Sequence, residues 1–90
     1  MTQLTQPWRI SSAAKFGEFL RLLKQEVARG SFRQLAPQSD WKSQEPINKI
    51  PDDGPWPDYI EMYFEDAETS DRYRLSVETY HGAGGNWERA

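Results

Sequence analysis

Two acids, Glu61 and Glu78, are placed to act as a carboxylate pair. Each lies in a segment of alternating apolar and polar residues, YIEMYFED and RYRLSVETY. Pairing those segments as a hairpin sets the two carboxylates diagonally on one face. Carboxyl groups about 5 Å apart serve retaining glycoside hydrolysis, one as nucleophile and the other as acid and base. Arg72 and Arg74 share that face, however, and acids balanced by arginines on an open sheet read first as solvated side chains. A hydrolase using this surface pair, or a small-molecule-binding protein, is therefore the alternative reading.

Other chemistries find less support. The 90 residues contain one histidine, His81, and no cysteine, which excludes a histidine-rich metal site, a thiolate nucleophile and a disulfide. Asp52-Asp53-Gly54 lacks the alternating acids and terminal glutamate of an EF-hand loop and reads as a turn. No metal or cofactor is expected. The run Tyr80-His81-Gly82-Ala83-Gly84-Gly85 resembles the HGGG-type oxyanion loop of esterases and lipases, but only over these residues. There is no G-x-S-x-G nucleophile elbow, and a chain this short cannot build that α/β sheet. Nor is the run a phosphate-binding loop, because GK[ST] is missing. Tyr59, Tyr63 and Tyr80 could stack on bases, yet they alternate with Glu61, Glu65 and Glu78 rather than with lysines, so nucleic acid is not an expected partner.

The element that must position these side chains is the hairpin itself, predicted over residues 58–66 and 72–80. Ile60, Met62 and Phe64 fall on one face of the first strand, with Tyr73, Leu75 and Val77 on the same face of the second. A loop of about four residues, closed by Asp66 and Asp71, pairs Phe64 with Tyr73, Met62 with Leu75 and Ile60 with Val77. On the wet face Glu65 then meets Arg72, Tyr63 meets Arg74, and Glu61 meets Ser76. Sliding by two residues would set Glu61 against Glu78, a like-charge pair, and sliding by one would turn the apolar face to water.

A single helix, about residues 12–29, is expected to cover the apolar face. Phe16, Phe19, Leu20, Leu23 and Val27 form its stripe, and Glu18, Arg21, Gln25 and Arg29 lie opposite. Ser11 or Ser12 offers the N-cap hydroxyl and Gly30 the C-terminal stop. Gly17 reads as drift or as a close approach to the sheet, and Leu22 as an off-stripe residue with a second contact or none. Trp8–Ile10 and the region of Trp87 suggest short edge strands, and Ser31–Leu35 reads as a short strand or an irregular exit from the helix. Residues 36–57 form a Pro-rich irregular segment, with Pro46–Pro51 readable as a brief edge strand. Gly84-Gly85-Asn86 is expected to supply positive-φ turn residues.

The reading is thus one α+β domain spanning residues 1–90, with one helix on an antiparallel sheet of three to four strands. Residues 1–35 carry six Lys/Arg against two acids, and residues 36–90 five against twelve. The acidic half disfavours phosphate backbones and anionic membranes and suits a basic protein partner. No signal-like apolar segment and no run of 18 apolar residues occurs, so neither secretion nor a membrane span is expected, and the lack of cysteine fits a cytoplasmic setting. The expected function is a small, non-catalytic protein-binding domain, in one version an acidic inhibitor or immunity-type protein. Its candidate surface comprises Trp56, Tyr59, Glu61, Tyr63, Arg72, Arg74, Tyr80, His81 and Trp87.

Overall fold

The computed structural model describes residues 3–35, 46–79 and 84–90. Five strands, β1 (Trp8–Ile10), β2 (Phe32–Gln34), β3 (Tyr59–Asp66), β4 (Arg72–Glu78) and β5 (Gly84–Arg89), form one sheet in the order β1-β5-β4-β3-β2. Every neighbouring pair is antiparallel. Four reversals leave β1 and β2 pointing the same way at opposite edges. Helix α1 (Ala13–Ala28), which joins them, must therefore carry the chain from one edge of the sheet to the other. The sheet exceeds the expected three to four strands because β1 and β2 are only three residues long. Strands so short exist because a longer partner supplies the ladder.

The hairpin has the expected register. Phe64 pairs with Tyr73, Met62 with Leu75, Ile60 with Val77 and Glu65 with Arg72. The Asp66 N–H donates to the Asp71 carbonyl at 2.8 Å, leaving Ala67–Ser70 as a four-residue loop. The Asp66 carboxylate accepts from the Glu68 and Thr69 N–H groups, and Ser70 takes φ 67°. At the far end the Thr79 N–H reaches the Asp58 carbonyl and its hydroxyl donates to the Pro57 carbonyl.

Both ends of α1 are capped as expected. The Ser12 Oγ accepts from the Lys15 N–H at 3.1 Å. At the other end Gly30 takes φ +84°, its N–H bonds the Val27 carbonyl, and the Ser31 N–H bonds the Glu26 carbonyl. These two bonds form a Schellman motif, which satisfies carbonyls the helix would otherwise leave open. Phe16, Phe19, Leu20 and Leu23 are fully buried, while Val27 and Leu22 pack partly buried against the same core. Glu26 is also buried, which the helical stripe did not indicate.

Trp87 occupies the centre of the core. Its ring stacks on Tyr73 at 5.2 Å with 3° between planes and meets Phe19, Phe32 and Phe64 at 5.4, 5.9 and 5.7 Å. Its indole N–H donates to the Leu4 carbonyl at 2.8 Å, so the buried donor is satisfied. Gly84-Gly85-Asn86 corrects the expectation of a positive-φ turn, since these residues lie within β5.

Pro46–Pro51 is not a strand. Ile47–Lys49 is a single 3-10 turn, with the Lys49 N–H on the Pro46 carbonyl and the Ile50 N–H on the Ile47 carbonyl. Residues three apart eclipse in a 3-10 turn, so Ile47 and Ile50 both reach the core; in a strand they would face opposite ways. Lys24 holds the segment to α1 through the Ile50 carbonyl and the Asp52 Oδ1, the latter at 2.6 Å. Gly17 is explained by the same docking. A Cβ there would lie 2.7 Å from the Asp52 carbonyl oxygen, so the close approach is to this loop and not to the sheet.

Candidate functional site

The face of the sheet opposite α1 is built from the alternate residues of all five strands. Reading across the sheet, one row runs Arg33, Glu65, Arg72 and the next Tyr63, Arg74, Glu88. The following rows run Glu61, Ser76, Asn86, Arg9 and then Tyr59, Glu78, Gly84. Each row exists because the core residues on either side of it point the other way.

Polar contacts fix these side chains. Glu65, only 12% exposed, lies between Arg33 Nε at 2.8 Å and Arg72 Nε at 3.8 Å. The expected Glu65–Arg72 pair is thus present, but the closer partner comes from the edge strand β2. Arg74 Nη2 donates to Glu88 Oε1 at 3.1 Å. Its Nε is buried without a hydrogen-bond partner among the described residues. The hydrogen bond to Glu88 holds the Arg74 guanidinium above its usual pKa, against the opposing effect of burial.

Glu61 anchors the tyrosines. Its Oε1 accepts from the Tyr59 hydroxyl at 2.9 Å and its Oε2 from the Tyr63 hydroxyl at 2.6 Å. With its proton directed to Glu61, the Tyr59 oxygen, 2.9 Å from Ser76 Oγ, accepts from that serine. The Tyr63 phenol is raised above its ordinary pKa chiefly by the hydrogen bond to Glu61, with burial adding to it. The arrangement ties two aromatic side chains to one carboxylate.

Of the expected surface, Tyr59, Glu61, Tyr63, Arg72 and Arg74 share this face. Trp87 does not, because it is wholly buried on the helix side. Its place in β5 between Asn86 and Glu88 turns it inward, a consequence of register that the isolated tail could not reveal. Trp56 is also displaced from the site. It packs edge-on to Phe16 with centroids 4.7 Å apart and donates its N–H to the Pro51 carbonyl at 2.6 Å, on the helix layer. Tyr80 and His81 lie outside the described residues.

The sequence reading missed Arg9, Arg33, Asn86 and Glu88. Arg33 and Glu88 each adjoin a buried aromatic, Phe32 or Trp87, and that alternation was the available signal. With them included, the face carries four arginines (Arg9, Arg33, Arg72, Arg74) and four glutamates (Glu61, Glu65, Glu78, Glu88). Their charges balance.

Among the described residues no group of three or more acid or histidine side chains is arranged to hold a metal ion. No helix among them is long and apolar enough to cross a membrane. No protein-family model, curated protein or solved structure matches the chain.

Proposed function

We propose that this chain is a non-catalytic protein-binding domain whose contact surface is the open face of the sheet, centred on Tyr59, Glu61, Tyr63, Arg72 and Arg74. The observation that carries this reading is the pair of tyrosines held by one carboxylate beside exposed arginines. Tyr59 is 45% exposed, and the Arg72 and Arg74 side chains are 63% and 42% exposed. Tyrosine and arginine supply much of the binding energy at interfaces, and rings already held in place lose little further entropy on docking. Both Glu61 oxygens accept from tyrosine hydroxyls, so in this reading the carboxylate serves to hold the two rings for contact.

The partner in this reading is a basic protein, met in a cytoplasmic setting consistent with the absence of cysteine. The net charge of −3 attracts it at long range, while the charge-balanced face sets orientation at contact. An inhibitor or immunity-type role is one form of this function.

A photo-crosslinking residue at position 59, compared with one at position 18 on the outer side of α1, tests the proposal. The expected result is capture of a partner from position 59 alone. Excess wild-type protein should suppress capture, whereas the double variant Tyr63→Ala/Arg74→Ala should not. Equal capture from both positions, or none from position 59, would refute it.

A further inference from the structure

We propose that the open face of the sheet receives one carboxylate side chain, aspartate or glutamate, of a protein partner at two neighbouring guanidinium groups on β4, those of Arg72 and Arg74. This deepens the binding-domain reading and rests on it: the partner is basic overall, yet it carries an acid at its contact patch.

Two independent observations point to an anion there. The first is the state of Arg72. Arg33, on the edge strand, donates to Glu65 Oε1 through Nε at 2.8 Å and also through Nη2. Arg72 is left with an ion-pair contact of 3.8 Å to Oε2, and its guanidinium donates no hydrogen bond among the described residues. The second is Arg74, whose Nη2 donates to Glu88 Oε1 while its Nε is buried without an acceptor. A buried donor left open is costly, and it marks a place that an acceptor from outside the chain can fill. The Arg74 side chain is partly exposed, so a turn outward presents Nε and an Nη side by side. That fork grips a carboxylate through two hydrogen bonds.

Charge fixes the class of the ligand. The face is neutral as a whole, but its two adjacent rows at this corner hold three arginines (Arg33, Arg72, Arg74) and two glutamates (Glu65, Glu88). The excess is one positive charge, which one carboxylate cancels. A polyanion would overshoot it and would approach against the net charge of −3. An interface that covered this corner without supplying an acid would bury Arg72 with no hydrogen-bonded partner, at a large desolvation cost. Long-range attraction and contact therefore call for opposite signs. A basic partner is drawn in, and a single acid on it fixes the orientation.

The site can be tested without any partner. Sodium propionate should replace sodium chloride at constant ionic strength while the arginine Nε–Hε signals of the isotope-labelled protein are recorded. Saturable shifts are expected for Arg72 and Arg74, and none for Arg29, which is exposed at the end of α1. Arg72→Ala should weaken the Arg74 response about two- to fivefold, the range for an exposed ion pair. Glu88→Gln removes the internal competitor for Arg74 and should tighten binding about two- to fivefold. Both substitutions lie on the surface, away from the core. Inorganic phosphate should bind no more tightly than propionate. Absence of saturable shifts, an equal shift at Arg29, or weaker binding by Glu88→Gln would overturn the proposal. So would tighter binding of phosphate, which would mark a phosphate site instead. Partner capture from position 59 without a propionate response would remove this site and leave the binding-domain reading; a propionate response without capture would do the reverse.

Discussion

Gly85 of β5 lies so close to Ser76 of β4 that a Cβ on the glycine would sit 1.9 Å from the serine carbonyl oxygen. No side chain fits there while the ladder persists. Two residues further along the same strand, Trp87 fills the core, so the approach of β5 to β4 and the burial of the indole depend on each other.

Gly85→Ala is therefore expected to destabilise the fold by about 1–3 kcal/mol or more. Urea denaturation measures the loss, and a red shift of tryptophan emission would report a loosened β5. Gly84→Ala is the control, since a Cβ there meets nothing within 4 Å and should change stability little.

Trp87→Ala should cost about 3–5 kcal/mol, the range for deleting a large buried aromatic. The indole packs against Phe19 of α1, Phe32 of β2, Phe64 of β3 and Tyr73 of β4, so its removal loosens the helix and three strands together. A thermal melt differing little from wild type would contradict the central placement of this residue.

Gly17→Ala separates two physical effects by sign. Helix propensity alone predicts stabilisation by about 1 kcal/mol. The Asp52 carbonyl oxygen, 2.7 Å from the added Cβ, is backbone and cannot rotate away, so net destabilisation is expected. Equilibrium unfolding of the variant decides between them.

Alkaline pH should weaken the fold. Tyr63 is raised above the ordinary value of 10.0 mainly by its hydrogen bond to Glu61, and Tyr73 mainly by burial. A raised folded-state pKa contributes stability that is complete below about pH 10 and lost as pH rises through the folded values. Unfolding free energy should fall steadily above about pH 10, and Tyr63→Phe should flatten part of that slope. Ultraviolet absorbance of the phenolate during alkaline titration would show the corresponding tyrosines ionising late.

Much of the fold was legible because it rests on local periodicity. Alternation through Ile60–Phe64 and Tyr73–Val77, with charges that penalise the neighbouring register, specified the hairpin residue by residue. The helical spacing of Phe16, Phe19, Leu20 and Leu23, bounded by Ser12 and Gly30, specified α1 and both its caps. The same alternation placed Tyr59, Glu61, Tyr63, Arg72 and Arg74 on one open face.

Local pattern thus sufficed for each element whose apolar period is long enough to outweigh the alternatives: one helix, one hairpin and the side of each that must be buried. Tertiary structure alone decided the meaning of Gly17, Gly85, Glu26, Trp56 and Trp87. Their surroundings come from strands or loops distant along the chain, and no local period records how closely two backbones pass. Pro46–Pro51 shows the same division, for its proline-bracketed isoleucines suit a strand locally, yet the floor of α1 can bury both only when the backbone turns.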